Sequence, residues 1–131
     1  MNTHALRFKP NQDLKKELLN WTVQNNIHAA CIVTCVGSFT QAHLRFAHQK
    51  QGNILKGHFE IVSMEGTFSK QGAHFHLSIS NEQGHVVGGH MLEGCLIHTT
   101  AEVVIGILED DKFARIHDPE TGFQELFISK K

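Results

Sequence analysis

Cysteine is scarce, basic charge is not in excess, and no apolar run approaches a membrane span. Each shortage removes a class of protein. The three cysteines, Cys31, Cys35 and Cys95, are an odd number without framework spacing, so no disulfide scaffold is expected. Twelve Lys and Arg stand against thirteen Asp and Glu, a formal charge of −1. Nucleic-acid domains draw most of their affinity from neutralising phosphates, so sustained DNA binding by this chain alone is not favoured. Only Lys15-Lys16 and Lys130-Lys131 are adjacent cations, and there is no Arg-Gly-Arg-Pro minor-groove hook. The N-terminus carries no basic-then-apolar signal segment, which makes a cytoplasmic protein with no membrane partner the expectation. A nucleophile motif, a Gly-rich phosphate loop before a helix and a His-Glu-x-x-His helix are all missing. Nothing assembles a reaction, so a non-enzymatic protein is the leading reading.

What is present suits one ordinary globular domain over residues 1–131, with 40% hydrophobic and 19% charged residues. The spacing of Leu14, Leu18, Leu19 and Trp21 predicts one helix over 11–26, capped by Asn11 or Asp13 and ended at Asn25-Asn26. β signals dominate elsewhere. Strands are expected at 3–9, 28–39, 40–47, 54–69, 73–80, 85–91, 98–110, 112–117 and 123–128. In the run over 28–39, even spacing sets Cys31 and Cys35 on one face as small core residues. Many strands and one main helix near the N-terminus predict an α+β fold with a largely antiparallel sheet.

Eleven residues are histidine, so chance alone supplies about one His-x-His pair, and the chain has one. Its setting matters more than its existence. In a strand, His74 and His76 point to one face, with Ser78 and Ser80 continuing it, while Phe75, Leu77 and Ile79 face the opposite side. The hairpin at Asn81–Gly84 returns the chain and brings His90 or a neighbour close to His74. Gly88 and Gly89 allow close backbone approach or a bulge beside it. Three imidazoles with an open fourth position form a catalytic-type count for zinc or another divalent metal, not a closed structural site. A half-exposed polar face without metal fits the same spacing. His98 could line the same face, and His85 reads as a solvated turn residue.

Glu60 and Glu102 each interrupt an apolar β run. Such a carboxylate can anchor an interface, orient a ligand histidine, act as a base, or simply face solvent. With either as acid/base, a three-His metal site acting on a small molecule is the enzymatic alternative.

Several stretches together resemble the plants-and-prokaryotes conserved (PPC) domain along nearly the whole chain: "LRFKPNQDLKKELL" (6–19), "VGSFTQAHLR" (36–45), "GHFEIVSMEGTFS" (57–69), "AHFHLSISNEQGHVVGGHMLEGC" (73–95) and "TTAEVVIG" (99–106). The resemblance implies a compact α+β domain, built on a mixed, mostly antiparallel sheet, that forms a homotrimer. It implies a metal, zinc above all, on His74, His76 and His90 near subunit contacts, with Phe59, Glu60, Ile61 and Glu102 as interface candidates. It also implies a regulatory role, with a protein partner or weak DNA association by analogy with hook-bearing plant members. One departure is Asn11, where the family often has Gly; both suit a left-handed turn.

Overall fold

The computed structural model describes residues 1–131. Its elements run β1 (Asn2–Phe8), α1 (Leu14–Gln24), β2 (Ala30–Arg45), β3 (Asn53–Ser69), β4 (Gly72–Ser80), β5 (Val86–Met91), β6 (Leu96–Ile107), β7 (Asp111–His117) and β8 (Gln124–Lys130). Six strands form one sheet in the order β1-β6-β2-β3-β4-β5, and β5 also pairs back onto β2. The strands β2 to β5 therefore close on themselves, and β7-β8 is a separate ribbon. Every pairing is antiparallel, so the expected mixture gives way to a wholly antiparallel sheet. No helix is long and apolar enough to cross a membrane.

The helix falls inside the expected 11–26, because Asp13, the later of the two expected caps, sets its start. The Asp13 carboxylate accepts hydrogen bonds from the Lys16 amide (3.2 Å) and the Gly94 amide (2.7 Å). It thus satisfies a free helix-end donor and ties α1 to the β5–β6 connection. Before it, Asn11 takes a left-handed φ of 68°. Leu14, Leu18 and Thr22 form the buried stripe, while Trp21 and Leu19 are half-buried. The Thr22 hydroxyl donates to the Leu19 carbonyl within the helix (2.7 Å).

The runs over 28–39 and 40–47 are one long strand, since antiparallel partners on both sides carry β2 straight through Gly37-Ser38. Gly37 is required there: a Cβ would lie 2.1 Å from the Thr100 carbonyl oxygen of β6. An irregularity between Ile32 and Thr34 corrects the cysteine expectation. Cross-strand partners share a face, and Cys35 lies opposite the buried Val103 whereas Cys31 lies opposite Gly106. The extra residue at Val33 reverses the alternation, so the two cysteines point to opposite faces. Cys35 is buried in the core, and burial pushes its thiol up to about 12.

One core fills the closed sheet and its covering helix. Phe39, Phe68, Phe75, Leu77, Ile79 and Met91 are among its fully or almost fully buried side chains. Burying side chains of this size stabilises the fold by about 1.5–3 kcal/mol each. Phe59 and Ile61 belong to that core at 9% and 6% exposure, so within one chain they leave little apolar surface free. Glu60 and Glu102, on the alternate positions, are exposed.

Candidate metal centre

β4 places the first two histidines as its alternation requires. Phe75, Leu77 and Ile79 are buried, and His74 and His76 stand exposed on the other face. The third arrives through the β4–β5 hairpin. The Asn81 side chain accepts from the amides of Gln83 and His85, both at 3.0 Å, and the Asn81 amide donates to the His85 carbonyl. This Asx turn absorbs His85, so the loop runs over 81–85 and the strands resume at Ser80 opposite Val86. His90 consequently lies directly opposite His76, not His74. No bulge interrupts this pairing. Gly88 and Gly89 serve close approach instead: a Cβ on Gly89 would lie 2.7 Å from the Arg45 carbonyl oxygen.

Because β5 also touches β2, four side chains form one row across four strands. Arg45 lies opposite His90, His90 opposite His76, and His76 opposite Glu65. His74 is two residues along from His76, opposite Thr67. One ligating nitrogen from each of His74, His76 and His90 can be chosen so that all three lie within 4.8 Å of one another. The Nε2 atoms of His74 and His76 are 3.1 Å apart, so one must donate and the other accept. Two nitrogens around a zinc at ~2.1 Å sit roughly 3.4 Å apart, a spacing these separations bracket.

Electrostatics favour the ligating form. Burial, followed by the nearby Arg45, His74 and Lys15 charges, pushes His90 down to about 4. Burial, then His76 and Arg115, also lowers His74. Both shifts disfavour the protonated ring and so favour the lone-pair form that a cation needs, with the His74–His76 hydrogen bond giving way to it. Arg115 approaches from β7, where it donates to the Thr67 carbonyl (3.2 Å) and hydroxyl (3.1 Å).

The histidines open onto a cavity of about 840 Å³ that Arg45, Lys50, Glu65 and Phe123 also line. Neither Glu60 nor Glu102 lines it. Glu60 lies opposite Ser38 and Ser80, and Glu102 opposite Arg7 and Val36. Their candidacy as acid/base or as partners of the ligand histidines is therefore unsupported within one chain. The carboxylate in place is Glu65, which sequence reasoning missed. The turn after Ser69 carried the signal, since counting back from it sets Glu65 opposite His76. His98 does not join the cluster either; it stacks edge-on with His58, ring centroids 4.9 Å apart.

Comparisons with known proteins agree with this architecture. Among curated proteins, the bifunctional protein GlmU of Synechococcus sp. (strain JA-3-3Ab) is 40% identical over 130 residues, 99% of this chain. That match is 21% of the relative, so the chain spans about a fifth of its length. A hypothetical protein from Salmonella cholerae-suis has the same fold with a TM-score of 0.97 at 40% identity, covering 99% of this chain and 94% of that one. A metal-containing protein from Archaeoglobus fulgidus shares the fold at a TM-score of 0.84 and 24% identity, covering 97% and 94%. The Plants and Prokaryotes Conserved (PCC, also written PPC) domain model matches residues 1–109, from β1 through β6. The chain therefore belongs to the PCC domain family.

Proposed function

We propose that this protein is a metal-binding, trimeric PCC module with a regulatory, non-enzymatic role, and that zinc is its metal. The observation that carries the reading is the convergence of His74, His76 and His90, with their ligating nitrogens within 4.8 Å, at the edge of an open cavity. Two of the three come from one rigid strand and the third from its hairpin partner, so little ordering accompanies binding. The ion would supply a fixed positive charge with an exchangeable position toward the cavity. The metal-containing neighbour from Archaeoglobus fulgidus supports the same reading by analogy of fold. Any DNA association rests on family analogy alone, because three copies of a chain at −1 remain acidic overall.

The test is metal content. Untagged protein prepared without metal-affinity resin should retain about one divalent ion per chain, and His90→Ala should lose most of it. A ratio near zero, or one unchanged by the substitution, overturns the ligand assignment.

A further inference from the structure

The row across the four strands does not end at the histidines. Arg45 stands beside His90 at the seam between β2 and β5 and faces the same cavity. It has no acidic partner: the two ion pairs of the molecule are Lys16–Glu93 and Lys130–Asp111. A guanidinium carries five donors in a fork matched to carboxylate and phosphate oxygens, so an unpaired one beside a metal centre is poised for an anion. Lys50 adds a second cation to the lining, against the single carboxylate of Glu65. A divalent ion on the histidines makes the excess of positive charge larger still. The cavity, at about 840 Å³, is far larger than one ion and its waters need, and lies in the range of small-molecule sites. Its walls are partly apolar, with Phe46 on the body and Phe123 from the turn of the β7–β8 ribbon. Cations and apolar side chains lining one cavity suit a ligand with an oxyanion head and a short hydrocarbon stem.

We propose that this cavity binds a small organic oxyanion, a carboxylate or a phosphate, with Arg45 gripping the head group and an oxygen directed at the ion held by His74, His76 and His90. The proposal rests on the metal reading for that last contact only. No covalent step is involved; the anion takes the place of water.

Cobalt-substituted full-length protein tests it, because cobalt absorption reports on the open coordination position and cobalt content reports on the metal site itself. Butyrate, acetate and inorganic phosphate are titrated separately. A saturable spectral change is expected, with butyrate tighter than acetate if the natural head is a carboxylate on a stem, and phosphate tightest if it is a phosphate. Arg45→Gln should weaken binding roughly ten- to a hundred-fold at unchanged cobalt content. Glu65→Gln should tighten it a few-fold, because it removes the one opposing carboxylate. Cobalt-loaded protein that ignores all three probes overturns the proposal and leaves the metal reading standing; that is also the outcome if a second copy's carboxylate already covers Arg45. Equal affinity in Arg45→Gln overturns Arg45 as the anchor. Protein that holds no cobalt overturns both readings.

Discussion

At the scale of single residues, the protein separates two kinds of histidine by where each one points. His90 combines partial burial with cationic neighbours, and that gives acid a defined effect on the metal-free fold. An unfolded histidine takes its proton near 6.5, whereas folded His90 takes it only at about 4. Between those values the unfolded chain holds a proton that the folded chain does not, so stability rises with pH across the window. Melting temperature in chelator should therefore fall as pH drops from 6.5 toward 4, and His90→Gln should flatten that slope. An unchanged slope in the variant would assign the effect elsewhere. The histidine pair and its core-facing neighbours were legible in sequence because strand alternation is local. Glu65 was within reach of its hairpin turn but not recognised, whereas Arg45 was not legible, since its place depends on the long-range closure of β5 onto β2. Phe123 was still less accessible, arriving from a ribbon more than thirty residues beyond His90 in the chain.

At the scale of elements, the outcome of the sequence reading divides along the same line. The helix, the long third strand and the β4–β5 hairpin follow from apolar spacing and turn residues. The irregularity near Val33 does not, because it reflects how β2 must fit β6 on one side and β3 on the other. Its effect is large, since it separates Cys31 from Cys35. The closure of β5 onto β2 likewise depends on a glycine whose need is visible only in three dimensions. Placing a methyl group at position 89 drives it against the Arg45 carbonyl oxygen, with the Phe46 ring 3.5 Å away. Backbone cannot yield as a flexible side chain does, so Gly89→Ala should cost about 1–3 kcal/mol and open the seam. Lowered thermal stability together with weaker metal retention is the expected result. Weaker retention without any loss of stability would point to a purely local effect on His90.

At the scale of the whole molecule, the exposed apolar residues bear on assembly. Val33, Val36 and Val62 are each at least half exposed on the strands β2 and β3, although the core is well filled. Outward valines on a sheet are readily covered by another copy of the chain. With Phe59 and Ile61 mostly inside, these valines join the interface candidates, alongside the exposed Glu60 and Glu102. Light scattering at micromolar concentration should return about 44 kDa, three times the chain mass of 14.7 kDa. A mass near one chain would remove the trimer from the proposed function.

The alternation along β5 has a consequence for how the centre tolerates change. Met91 is fully buried opposite Leu44, and His90 beside it faces the cavity opposite Arg45. A slip of β5 by one residue would exchange the two, putting an imidazole into the apolar interior and a thioether among the ligands. Leaving the Met91 pocket unfilled costs about 2–5 kcal/mol by comparison with truncations of such side chains. The core thus acts as a ratchet on the strand: it holds His90 on the cavity face, beside His74 and His76, through the packing of its neighbour. In the 81–85 loop, drift is tolerable away from Asn81 and Gly84, and a change of length is not.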